Sequence, residues 1–155
     1  MNTSRSEQAL SYFYRGYSCA QSVLAPSAAE LHLSEAEALR LASAFGAGLG
    51  RMRGTCGAFS ALCMVAGWCH GNTEGTAEGK ERIYTLTRTL AERFRSEMGA
   101  LECRELLHLA PGQEPARPEE RTAAYYEGRP CMKCIATAAA WAEELLQATN
   151  ASRKA

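Results

Sequence analysis

Residues 46–69, GAGLGRMRGTCGAFSALCMVAGWC, contain the pattern that decides the fold. The glycines between Gly46 and Gly57 predict a flexible loop that packs closely against its surroundings. The run from Gly57 to Cys69 is mostly apolar on every side, so it predicts a helix buried at the centre of the molecule. A glycine-rich loop leading into a buried helix is therefore the expected centre of the fold.

Outside this stretch, apolar residues recur at steps of three and four, and no segment alternates polar and apolar residues between hairpin turns. This periodicity predicts an all-α fold without a sheet. We expect one domain over residues 1–155, built as a bundle of about six to seven helices, with a flexible tail at about 149–155.

The helix boundaries follow from capping residues, glycines and prolines. Ser34 opens a capping box, Pro26 predicts a break within the second helix, and Pro130 suits the first position of the last one. Segment 110–121, with its three prolines, has the most disordered composition. The predicted helices cover about 4–15, 18–31, 34–45, 57–69, 80–98, 101–108 and 130–148.

Charge and hydropathy exclude several classes of function. Seventeen basic residues balance seventeen acidic ones without clustering, so we expect no binding to nucleic acid. The N-terminus lacks the apolar run of a secretory signal, and no stretch has the length of a membrane span. We therefore expect a cytoplasmic protein that is not embedded in a membrane.

The cysteines are the strongest chemical signal. Seven of them, an odd number, in a chain without an export signal indicate reduced thiols rather than a disulfide framework. Four occupy predicted helix N-termini, where the helix dipole and free N–H groups favour the thiolate that binds metals and attacks disulfides: Cys19, Cys56, Cys103 and Cys131. Cys63 and Cys69 lie inside the apolar helix, where packing is the expected role.

Cys131 and Cys134 form a CxxC pair, a spacing that suits either a dithiol couple or two metal ligands. No strand precedes the pair as in thioredoxins, no histidine follows it as in c-type haem sites, and no second CxxC completes a zinc ribbon. The glycines of 46–50 follow a helix and lack the Gly-Lys-Ser/Thr ending of a phosphate loop. Hydrolase motifs are also absent.

The cysteines and their neighbours resemble the C_GCAxxG_C_C family, helical bacterial and archaeal proteins whose family name describes them as redox-active. The resemblance covers nearly the whole chain and rests on residues 16–24, 39–50, 56–58 and 103–107 and on Cys131. The four defining cysteines of the family match Cys19, Cys56, Cys103 and Cys131. Two departures are Ser60, where the motif has glycine, and the additional Cys134. Association of family members with transporter genes suggests a possible context.

Three functions remain open. In the leading hypothesis, Cys19, Cys56, Cys103 and Cys131 converge and bind an iron–sulfur cluster for electron transfer, or less favourably zinc. In the second, the protein is a metal-free thiol–disulfide oxidoreductase or redox sensor, in which Cys56 or Cys131 attacks and Cys134 resolves. Both need an unknown redox partner. The third is a helical interaction module or homodimer with structural cysteines.

Among the thiols, Cys56 combines a glycine-rich approach, two nearby arginines and the start of a buried helix. Arg51, Arg53 and the helix dipole are expected to lower its pKa. We therefore predict that Cys56 is the first cysteine to react.

Overall fold

The structure, a computed structural model, describes residues 3–154. Within this range the chain forms eight α-helices, and residues 25–27 form a short 3-10 turn. The helices are α1 (Arg5–Tyr14), α2 (Cys19–Leu24), α3 (Glu35–Ser43), α4 (Gly57–His70), α5 (Ala77–Met98), α6 (Cys103–Leu106), α7 (Ala123–Tyr126) and α8 (Cys131–Lys154). These residues contain no extended strand, which confirms the all-α prediction.

Several boundaries differ from the sequence prediction. The second predicted helix is divided at Pro26 into α2 and the 3-10 turn, as the proline predicted. The one-turn α7 was not predicted, because four residues carry too little periodicity to be recognised. The last helix extends to Lys154, past the predicted end at Ala148, so residues 149–154 are helical rather than a flexible tail. Ala155 lies outside the described residues.

Serine N-caps fix the starts of three helices. Ser4, Ser18 and Ser34 each accept a hydrogen bond from the backbone N–H three residues later. The side-chain oxygen of the Glu or Gln at that third position accepts a hydrogen bond from the backbone N–H of the cap residue, which completes a capping box. Since both partners lie within four residues, these starts are encoded locally.

The core forms around α4, which packs against α2 on one side and α8 on the other, as predicted for a buried central helix. Leu62 and Val65 of α4 are fully buried, as is Ile135 of α8. Burying an aliphatic side chain of this size contributes about 1.5–3 kcal/mol. Phe94 of α5 closes the core, with its ring centroid 5.5 Å from that of Phe59.

The long α5 is amphipathic, and it places Leu90 and Phe94 against the core while most of its other side chains face solvent. α8 is longer still, but charged and polar residues interrupt its apolar face. Across the described residues, no helix combines the length and apolar character needed to cross a membrane.

Candidate functional site

Four helix starts meet at one point of the bundle. Cys19, Cys103 and Cys131 are the first residues of α2, α6 and α8, and Cys56 is the N-cap of α4. These four cysteines, together with Cys134, line one small cavity of about 20 Å³. The structure therefore brings together every cysteine that the sequence singled out for chemistry.

Backbone hydrogen bonds join the start of α4 to the start of α6. The N–H of Cys56 donates to the carbonyl of Leu101 at 2.9 Å, and the N–H of Cys103 donates to the carbonyl of Gly54 at 2.7 Å. These bonds leave the two cysteines on neighbouring stretches of backbone. Helix packing of α2 and α8 around α4 brings the other thiols to the same place.

The glycine-rich loop has an unusual backbone. Residues 47–51 all have positive φ, between 51° and 67°, which L-residues adopt only at a cost of about 1–2 kcal/mol each. At Gly48 a Cβ would lie 2.6 Å from the carbonyl oxygen of Gly54 and 2.8 Å from the Cβ of Cys103. Glycine is therefore required at position 48, where the loop passes Cys103. The same loop places the guanidinium of Arg53 beside the Cys103 sulfur.

Cys19 and Cys131 form the first of two thiol pairs. The pKa of Cys131 is lowered to about 7, chiefly by a hydrogen bond from the Cys19 thiol and further by the charges of Arg129 and Arg121. Burial acts in the opposite direction but is the weaker effect. The same hydrogen bond raises the pKa of Cys19 well above its ordinary value. The pair therefore holds one thiolate and one thiol near neutral pH.

Cys56 and Cys134 form the second pair. A hydrogen bond from the Cys134 thiol lowers the pKa of Cys56, and the N–H groups of Phe59 and Ala58 at the start of α4 lower it further. The pKa of Cys134 is raised by the same contact and by burial. Cys134 is only 1% exposed. Within this inner pair, Cys56 is therefore the more acidic thiol.

The arginines of the glycine-rich loop do not have the predicted target. The Nη1 of Arg53 lies 3.7 Å from the Sγ of Cys103, and Arg51 contacts the chain at Glu119 instead. Burial raises the pKa of Cys103, and Arg53 opposes this rise. The pKa of Cys56 is lowered as predicted, but by Cys134 and the helix N–H groups, because backbone curvature turns Arg51 and Arg53 toward α6 and segment 110–121.

An open cleft of about 400 Å³ adjoins the thiol cavity. Cys19, Cys103 and Cys131 line both spaces, whereas Cys56 and Cys134 line only the inner cavity. Four arginines also line the cleft: Arg51, Arg53, Arg121 and Arg129. Access from solvent therefore leads first to the Cys19–Cys131 pair, which is only partly buried.

Segment 110–121, which has the most disordered composition, is held across this cleft. Arg51 donates to the carbonyls of Pro115 and Arg117, both at 2.6 Å. Arg53 forms an ion pair with Glu114 at 2.5 Å. The sequence did not predict these contacts, because they join residues about sixty positions apart. The only signal in the sequence was the presence of Glu and Arg residues that could form ion pairs.

The five thiols of the cavity have the chemistry of metal ligands, but their side chains are not arranged around a common metal position. Thiolates are the ligands of iron–sulfur clusters and of structural zinc. Within residues 3–154, however, no three Cys, His, Asp or Glu side chains are arranged to hold a metal ion. The inner cavity has room for about one water-sized atom, so the thiols would have to reorient to enclose a cluster.

Cys63 and Cys69 lie on α4 away from the cavity and pack half-buried against the core. Burial raises the pKa of Cys63 to about 11. The thiol is therefore protonated at neutral pH, as expected for a cysteine that serves packing.

The C_GCAxxG_C_C family model, whose description is "Putative redox-active protein", matches residues 17–145. Comparisons with curated proteins and with solved structures gave no match. The matched region includes all five cysteines of the cavity and most of the chain. The chain therefore belongs to the C_GCAxxG_C_C family.

Proposed function

We propose that this protein is a thiol–disulfide redox protein in which Cys131 is the attacking thiolate and Cys19 the resolving thiol. One observation carries the proposal: Cys19 and Cys131 line the same cavity at the inner end of an open cleft, where their interaction lowers the pKa of Cys131 to about 7. A thiol whose pKa lies near the ambient pH has a large thiolate fraction and still a nucleophilic sulfur. Cys131 has both properties, whereas Cys56 is 6% exposed and lies behind it.

The reaction needs two exchange steps. The Cys131 thiolate attacks a disulfide, forms a mixed disulfide and releases one thiolate. The Cys19 sulfur, after its proton passes to that leaving thiolate or to water, then attacks the Cys131 sulfur. The products are a Cys19–Cys131 disulfide and the second substrate thiol, so the substrate gains the two electrons that the protein loses.

The inner pair extends this proposal. The sequence left Cys56 and Cys131 as alternative partners for a resolving Cys134, and the interaction of Cys134 with Cys56 favours the first of these. We assign Cys56 and Cys134 as a second dithiol couple, which becomes oxidised after the outer pair because only the outer pair lines the cleft.

Disulfide mapping tests this assignment. The reduced protein is treated with an equimolar thiol oxidant, quenched in acid, digested and analysed by mass spectrometry. We expect a Cys19–Cys131 linkage first and a Cys56–Cys134 linkage with more oxidant. Cys131→Ser should abolish the first linkage, and Cys63→Ala serves as the matched control. A dominant Cys131–Cys134 linkage would refute the assignment of Cys19.

The second candidate is an iron–sulfur protein with Cys19, Cys56, Cys103 and Cys131 as ligands. Their common position at helix N-termini favours it, since backbone N–H groups there can donate to the sulfurs and tune the potential. The bound cluster would supply one-electron transfer, and zinc would supply structure alone. Iron, sulfide and zinc analysis of anaerobically purified protein, with a visible spectrum, decides between them.

The outcomes are distinct. Colourless protein that takes up no cluster on reconstitution excludes the iron–sulfur function, whereas stoichiometric iron and sulfide would displace the thiol–disulfide proposal. An interaction module or homodimer with structural cysteines would show neither metal nor reversible disulfides.

A further inference from the structure

The cleft beside Cys131 contains an arginine, Arg121, without an ion-pair partner among the described residues. Among residues 3–154, no carboxylate lies within ion-pair distance of Arg121. Its guanidinium instead donates to the carbonyls of Phe13 at 3.3 Å and Tyr17 at 3.1 Å. It also stacks 4.6 Å from the ring centroids of Phe13 and Tyr125. Arg121 is therefore a fixed cation in the cleft wall.

The other three arginines of the cleft share two carboxylates. Arg51 lies 3.6 Å from Glu114 and 3.2 Å from Glu119, and Arg53 lies 2.5 Å from Glu114. Arg129 pairs with Glu119 as well. With Arg121, four arginines face two carboxylates, so the cleft walls keep an excess of one positive charge even when Cys131 is a thiolate.

These charges surround the outer thiol pair. Arg121 and Arg129 line the same cleft as Cys19 and Cys131, and their charges lower the pKa of Cys131. A molecule that enters the cleft to meet the Cys131 sulfur therefore passes between fixed cations. The volume of about 400 Å³ is in the range of small-molecule sites.

We propose that the cleft binds small disulfides that carry negative charge, such as disulfides with carboxylate arms, and presents their sulfur–sulfur bond to Cys131. This inference rests on the proposed function of the Cys19–Cys131 pair and adds the class of its substrate. The arginines supply the attraction for carboxylates, and the thiol pair supplies the reaction. The shape and charge of the cleft select the molecule that undergoes the exchange.

The chemistry balances without a further reactant. The Cys131 thiolate breaks the substrate S–S bond and forms a mixed disulfide, and one anionic thiol leaves. Cys19 then displaces the second thiol and forms the protein disulfide. The protein loses two electrons, the substrate gains two, and the Cys19 proton ends on a released thiol.

Three small disulfides of matched size test the proposal: 3,3′-dithiodipropionate with two negative charges, 2-hydroxyethyl disulfide with none, and cystamine with two positive charges. Formation of the Cys19–Cys131 disulfide in the full chain is followed by rapid acid quench and mass spectrometry. Each rate is divided by the rate of the same disulfide with 2-mercaptoethanol, which removes differences in intrinsic reactivity.

We expect the corrected rate for the anionic disulfide to exceed that for the neutral one by about tenfold or more at low ionic strength, and cystamine to be slowest. The preference should shrink strongly when ionic strength is raised from about 0.01 M to about 0.15 M, because the screening length falls from about 30 Å to about 8 Å. Both measurements use the wild-type protein, so they decide the proposal even if a variant fails to fold.

Variants then locate the selectivity. Arg121→Gln should lower the anion-to-neutral rate ratio several-fold, and Arg121→Lys, which keeps the charge, should restore most of it. Arg88→Gln makes the same charge change on the exposed surface of α5 and is the matched control, with an unchanged ratio expected.

The failures are distinguishable. The substrate assignment would be overturned by equal corrected rates for all three disulfides. It would also be overturned if the anion-to-neutral rate ratio changed neither with ionic strength nor in Arg121→Gln. In both cases the thiol–disulfide function would still stand. If none of the three disulfides generates a Cys19–Cys131 linkage, the proposed function itself fails, and the substrate assignment fails with it.

Discussion

The Nη1 of Arg53 lies 3.7 Å from the Sγ of Cys103, while its Nε lies 2.5 Å from a carboxylate oxygen of Glu114. One side chain, only 5% exposed, thus joins the glycine-rich loop, the first residue of α6 and segment 110–121. Because three separate parts of the chain depend on this guanidinium, its removal should affect both stability and thiol chemistry.

Replacing Arg53 by glutamine is therefore expected to lower the free energy of unfolding by about 1–3 kcal/mol, the usual range for losing hydrogen bonds to charged groups. It should also raise the pKa of Cys103, since Arg53 opposes the effect of burial on that thiol. Urea unfolding measures the first effect, and the pH dependence of Cys103 alkylation measures the second. Arg88→Gln is the control, and an unshifted Cys103 profile would show that Arg53 does not act on this thiol.

The pH dependence of Cys131 is the most direct test of the outer thiol pair. The pKa of Cys131 is lowered to about 7, so its alkylation by iodoacetamide should rise with pH and reach half its maximum near pH 7. Cys63, with its pKa raised to about 11, should react only in strong alkali. Quantitative mass spectrometry of both peptides in one sample provides the comparison.

Cys19→Ala should shift the Cys131 profile to higher pH, because the hydrogen bond from Cys19 is the main cause of the lowered pKa. The direction follows from the removal of a donor to the thiolate, which disfavours the charged form. Cys69→Ala should leave the profile in place. A shift to lower pH in the Cys19 variant would mean that the two thiols are not paired as described.

Gly48→Ala is expected to disturb the thiol site directly. The new Cβ would lie 2.6 Å from the carbonyl oxygen of Gly54 and 2.8 Å from the Cβ of Cys103, in addition to adopting a φ of +67°. We expect a loss of about 2–5 kcal/mol of folding free energy, the sum of backbone strain and overpacking. Gly75→Ala is the matched control, since its φ is +69° but no atom lies within 4 Å of its Cβ.

The difference in thermal unfolding between the two glycine variants isolates the steric contact, because the backbone strain is common to both. Equal destabilisation would show that the loop can move away from Cys103 without loss.

Cys63→Ala should leave disulfide formation or metal content unchanged and should lower stability by about 1 kcal/mol, as a small volume loss in a partly buried position does. Cys69→Ala should behave in the same way. Redox titration and urea unfolding check the two expectations separately. Loss of redox activity in a folded Cys63 variant would contradict the assignment of the site to the five cysteines that line the inner cavity.

The sequence by itself determined the helices and the chemistry-bearing cysteines. The capping box at Ser34, the apolar run of α4 and the periodicity of α5 depend on residues close in sequence, so they can be recognised without knowledge of the fold. The same local signals placed Cys19, Cys56, Cys103 and Cys131 at helix N-termini, where the structure also has them.

Only the tertiary structure decided which thiols pair and what surrounds them. The sequence left open whether Cys134 pairs with Cys56 or with Cys131, and packing of α8 against α2 and α4 gives Cys131 the neighbour Cys19 and gives Cys134 the neighbour Cys56. The left-handed loop turns Arg53 to Cys103 rather than Cys56. Periodicity and capping depend on neighbours within one or two helical turns, whereas thiol contacts and pKa values depend on atoms that are distant in sequence and meet only after the helices pack.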